Sequence, residues 1–159
     1  LSRIIKNIFA GGFVILLFIL GYLRETIFLV INSVLKDYPF PYNRSYITPP
    51  AFLYDYNESS LLMLKWTLTF VFSALFAVLT LLFIHFYFNN KVYNKITLRI
   101  YIMLVGVSLL LSLIGMAFNT FDETYAVSRF VIGLAQYPLI PLILFVLFYF
   151  KQTIEKDLE

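Results

Sequence analysis

The stretch from Phe18 to Lys36, FILGYLRETIFLVINSVLK, decides how this chain is read. It is apolar on both sides of a charged pair, Arg24-Glu25. In water a helix could send both charges outward, whereas in a bilayer each must reach a partner or the interface. The surrounding composition selects the second solvent. Of 159 residues 61% are hydrophobic and only 13% charged, against about 25% charged in soluble domains, and the mean hydropathy is +0.86. The chain reads as a membrane protein with room for about four spans of roughly 20 residues. Little is left over for a soluble catalytic domain.

Four apolar segments follow: residues 8–35, interrupted at Arg24-Glu25, then 61–88, 96–118 and 125–150. Each is long enough to cross the hydrocarbon core. The first crosses to about residue 24 and then continues upright or bends along the outer interface. Arg3 and Lys6 precede it as they would a signal peptide, but the run is long and no small-x-small cleavage pattern follows, so it reads as an uncleaved anchor. Basic residues cluster at Arg3 and Lys6, at Lys91, Lys95 and Arg99, and at Lys151 and Lys156. The other two connections carry Asp37, Asp55, Glu58, Asp122 and Glu123, with Lys36 and Arg44 as their bases. The positive-inside rule then gives a four-helix transmembrane bundle, all-α, with both termini and the middle turn cytoplasmic. The net charge of +3, spread over several turns, is membrane topology and not a nucleic-acid footprint. The outer connection, 36–60, is rich in prolines and tyrosines. Prolines fix the backbone and tyrosines suit a surface that is half apolar and half wet, so an ordered cap on the outer leaflet is expected.

At about 100° per residue the polar residues of each span fall on one face. Lys65, Thr69, Ser73 and Thr80 share a face of the second span, and Ser108, Ser112, Gly115 and Asn119 of the third. Arg129, Gly133 and Gln136 line up in the fourth, and Gly21, Glu25, Asn32 and Lys36 in the first. Small and hydroxyl residues of this kind serve close helix packing in membranes. The charged members ask for more. Arg24, Glu25, Lys65 and Arg129 fall at one depth near the outer face, so Glu25 is expected to meet Lys65 or Arg129 across the bundle. Three cations against one acid leave a surplus, which makes Arg24, Glu25, Lys65, Arg129 and Gln136 candidate residues for docking a lipid phosphate or an acidic group of a partner. Gln136-Tyr137-Pro138 with Pro141 implies a kink in the fourth span.

Catalytic chemistry finds little material. The chain has no cysteine and one histidine, His85, which rules out thiolate catalysis, disulfides and a histidine-rich metal site within one chain. No nucleophile with its base, no paired carboxylates and no glycine-rich phosphate loop can be assembled. The expectation is a non-enzyme without cofactor or metal, in contact with membrane lipids.

The segments LRETIFLVIN (23–32), KWTLTFVFSALFAVLTL (65–81) and above all SRFVIGLAQYPLIPLILFVLFYF (128–150) resemble the small exosortase-associated membrane proteins of Bacteroidota, of the exosortase X or F type. Arg129-Phe130 and the Gln136 to Pro138 turn match recurrent positions of that family, while Tyr137 replaces a commoner small residue. The resemblance implies a partner, an exosortase-like polytopic cysteine transpeptidase that sorts proteins, and it carries over no catalytic residue. Two other readings stay open: a small subunit or assembly factor of a respiratory or secretion complex, and a lipid-binding or small-solute transport protein.

Overall fold

The computed structural model describes residues 3–35, 48–118 and 120–157. Residues 36–47, which include Lys36 and two of the four prolines of the expected cap, lie outside that description, as does Asn119. The first apolar segment forms one uninterrupted helix, α1 (Arg3–Leu35, 33 residues). At about 1.5 Å per residue it is roughly 50 Å long, well beyond the roughly 30 Å hydrocarbon core. A 3-10 turn, Ala51–Asp55, leads into α2 (Glu58–Phe88). Asn57 caps α2 by accepting the Ser60 backbone N–H at 2.8 Å, with Glu58 in the first turn complementing the helix dipole.

Two asparagines make the next turn. Asn89 takes the left-handed conformation, φ 49°, and its N–H returns to His85 O, which ends α2 as such residues commonly end helices. Asn90 then caps α3 (Lys91–Ala117) by accepting Val92 N–H at 2.8 Å. A turn this short folds α3 back against α2. After it come α4 (Phe121–Ala135) and α5 (Leu139–Asp157).

The break between α4 and α5 bends the chain by 54°. Pro138 has no N–H to return to Leu134, and the preceding turn tightens instead, with Gln136 N bonding Gly133 O at 2.9 Å. Pro141 sits in the first turn of α5, where a missing N–H leaves no helix bond unmade. The kink anticipated from the sequence is therefore a full break. Among the described residues the protein is all-α, with three helices long and apolar enough to cross a membrane, or four if the broken pair is one span.

Helices α1 and α2 run antiparallel, as their ring contacts and packing show. Phe13 meets Phe83, Gly21 lies against Phe76, and Phe28 meets Phe72. The end holding Lys6, the Asn89-Asn90 turn and the end of α5 is packed by Phe83, Ile84, Phe88, Tyr93, Leu144 and Phe148. Leu17, Phe76, Tyr101 and Ala135 fill the middle. At the far end Val30, Leu53 and Leu61 join α1, the 3-10 turn and α2. That last cluster covers part of the apolar run beyond Arg24-Glu25.

Candidate functional site: a polar layer around the helix break

Gln136 stands at the break and is fully buried. Its Nε2 donates to Thr69 O at 2.7 Å and to Ser73 Oγ at 2.8 Å, both on α2. Its Oε1 accepts from Arg24 Nε on α1 at 3.0 Å. Ser73 Oγ in turn donates to Thr69 O at 2.8 Å. One amide thus ties three helices together where the fourth span is interrupted, with both amide hydrogens and the amide oxygen engaged. Gly21 lies close beside the break, where a Cβ would come within 3.4 Å of Pro138 Cδ.

Arg24, and not Glu25, is the residue that turns inward. Its guanidinium also donates from Nη1 to Tyr137 OH at 3.3 Å. It lies between two rings, 5.0 Å from the centroid of Phe28 and 5.2 Å from that of Tyr137. Neutral oxygens and aromatic faces therefore stabilise this cation, each ring contributing on the order of 0.5–2 kcal/mol. Glu25 is exposed, and among the described residues no ion pair joins it to Lys65 or Arg129, so the expected pairing is not formed. The two residues sit about 100° apart on the helix. Only the one whose long stem and fork can reach the amide oxygen at the break is drawn in.

The remaining polar faces lie as their spacing suggests. Lys65, Ser73 and Thr80 are buried on α2, as are Ser108, Ser112 and Gly115 on α3. Thr80 Oγ1 donates to Phe76 O at 2.7 Å and lies 2.8 Å from Tyr101 OH, which leaves Tyr101 as the donor of that pair. On α4 Gly133 and Gln136 are buried as expected, and the departure is at the first position of the face. Arg129 is exposed, and Ser128 is buried in its place. Ser128 Oγ lies 2.8 Å from Ser108 O and 2.8 Å from Ser112 Oγ, while Ser108 Oγ reaches Ser128 O at 3.0 Å. This serine cluster locks α3 to α4, the most extensive helix pairing in the molecule.

Two spaces adjoin the layer. A small, partly open cavity of about 60 Å³ is lined by Arg24, Lys65, Arg129 and Gln136 together with Trp66, Tyr125 and Ser128. It brings together four of the five residues singled out from the sequence, and at about 15 Å³ each it has room for a few waters. A wider crevice of about 380 Å³ separates α1 from α4, lined by Arg24, Glu25, Phe28, Asn32, Arg129 and Phe130 among others. Arg24, Phe28 and Arg129 border both spaces. Asn32 is 2% exposed, and its Oδ1 has no hydrogen-bond partner among the described residues. Among those residues no group of three or more His, Asp or Glu side chains could hold a metal ion. Set against known protein families, curated proteins and solved structures, the chain finds no match in any of the three.

Proposed function

We propose that this protein is a non-catalytic accessory subunit of a membrane complex, lying in a bacterial inner membrane with both helix-bundle termini cytoplasmic and docking a larger polytopic protein through its outer face. The observation that carries the reading is how the described part of the cap is built. Leu53, 5% exposed, anchors the 3-10 turn against Val30 and Leu61. Leu53 is the one buried residue of that turn among the described residues, and Phe52, Tyr54 and Tyr56 stand outward at 58%, 63% and 54% exposure. Rings of this type are the usual anchors of an interface. The orientation is supported by charge. Lys6, Lys91, Lys95, Lys151 and Lys156 lie toward one end of the bundle, with Asp55 and Glu58 at the other.

Most of the hydroxyls and the glutamine inside the bundle are occupied in holding helices to one another, which suits a scaffold better than a reaction centre. The resemblance to exosortase-associated proteins makes an exosortase-like transpeptidase the first candidate partner. A respiratory or secretion complex would use the same surface, and the partner's identity separates the two. Mild-detergent purification from native membranes, with mass spectrometry of everything that co-elutes, is the test. One large polytopic protein in stoichiometric amount is expected, and its loss on combining Phe52→Ser with Tyr54→Ser would place the contact on the cap. A lone protein carrying only lipid would overturn the reading in favour of lipid binding or small-solute transport.

A further inference from the structure

The crevice between α1 and α4 is chemically particular. Its lining carries two guanidinium groups, Arg24 and Arg129, against one carboxylate, Glu25, a surplus of one positive charge. Arg24 spends Nε and Nη1 on Gln136 and Tyr137, so its Nη2 remains available to an anion. Arg129 is exposed beside the opening. The walls between these charges are apolar, formed by Phe28, Leu29, Phe130 and Leu134. Asn32, a little over two turns beyond Arg24 on α1, contributes a buried amide oxygen that lacks a donor among the described residues. Buried polar atoms without partners are uncommon and call for an explanation. Depth adds the last constraint. Lys6 donates to Tyr87 O at the opposite end of the bundle, and Arg24 follows it by roughly 27 Å at about 1.5 Å per residue. A separation of that size spans nearly the whole hydrocarbon core of about 30 Å, so the crevice opens at headgroup level.

We propose that the crevice is a binding site for one anionic glycerophospholipid. Arg24 and Arg129 hold its phosphodiester, the apolar walls receive the start of an acyl chain, and a headgroup hydroxyl donates toward Asn32. A monoanionic phosphodiester cancels the surplus charge, and a hydroxylated headgroup supplies the hydrogen that Asn32 Oδ1 lacks. A lipid fits better than a free anion because charged and apolar groups share the lining, with Phe28, Leu29, Phe130 and Leu134 beside Arg24 and Arg129, and a phospholipid supplies both a phosphate and an acyl chain. The proposal goes beyond the accessory role and stands or falls separately, since the cap residues take no part in it.

The test is native mass spectrometry of the full chain reconstituted in nanodiscs of equimolar phosphatidylglycerol and phosphatidylcholine, followed by detergent release. One phosphatidylglycerol per chain is expected, retained about tenfold over phosphatidylcholine. Arg129→Leu, at an exposed position, should leave the thermal melt in place and abolish that preference, and Asn32→Leu should reduce it in protein that still melts cooperatively. Equal retention of the two lipids, or a preference untouched by Arg129→Leu, would overturn the site. So would a crevice filled by protein, read as no retained lipid together with loss of a co-eluting protein on Arg129→Leu.

Discussion

The Asn89-Asn90 end of this bundle and the layer around the break in its fourth span are held together by different physics. Around the Asn89-Asn90 turn the contacts are rings. Tyr93 stacks on Phe148 at 4.3 Å, Phe83 on Phe145 at 5.1 Å, and Phe88 meets Tyr93 edge-on at 5.4 Å. Around the break in the fourth span the contacts are hydrogen bonds, gathered on Gln136 and Arg24. The first end leaves a gap of about 130 Å³ against α1 with an almost wholly apolar lining. The layer around the break leaves a crevice of about 380 Å³ with charges and an unpartnered amide in its walls. Both places hold helices together, while charged and polar groups collect at the one where the helix is broken.

The comparison can be broken by mutation. Phe88→Ala should cost about 3 kcal/mol, the low end of the range for buried rings, because lipid supplies no hydrophobic drive and only packing is lost. Unfolding of the purified protein by titration with a denaturing detergent measures it. Gln136→Met keeps the volume and deletes three hydrogen bonds at roughly 0.6 kcal/mol each, so about 2 kcal/mol is expected. Phe88→Leu, which keeps most of the apolar volume, should cost less than Gln136→Met. If it costs more, the polar layer is not what holds the helices together around the break.

Ser128→Ala comes next, at about 1 kcal/mol, because it removes the hydroxyl shared by Ser108 and Ser112. This residue also shows where the sequence stopped being legible. The apolar spans, the small-residue faces of α2 and α3 and the kink at Pro138 could all be read from composition and period. Ser128 was hidden by its neighbour, because Arg129, Gly133 and Gln136 make a plausible face at helical spacing. The signal that favours Ser128 is its line-up seven residues before Ala135, a second small residue that is fully buried. The exchange of Arg24 for Glu25 was hidden for a deeper reason. A period gives the relative angles of residues on one helix, but which of them faces inward depends on contacts such as Arg24 to Gln136, between residues more than a hundred positions apart.

Glu25 gives the smallest expected effect and the sharpest distinction. It is exposed, and among the described residues it makes no ion pair, so Glu25→Gln should leave stability within about 0.5 kcal/mol of the parent. If Glu25 held the bundle together as a counter-ion, the same change would strand a cation at membrane depth and cost about 2.5–3.5 kcal/mol. Its effect on the crevice has the opposite sign. Removing one negative charge roughly 10 Å from a bound phosphate, at an effective dielectric of about 50, strengthens binding by about 0.7 kcal/mol. Retention of phosphatidylglycerol should therefore rise about threefold, since 1.4 kcal/mol is a factor of ten. A variant that is equally stable and retains more anionic lipid would mark Glu25 as a tuning charge at the mouth of the crevice. A destabilised variant would return it to the structural layer, and the division between the two regions of the bundle would then fail at the residue where it was first suspected.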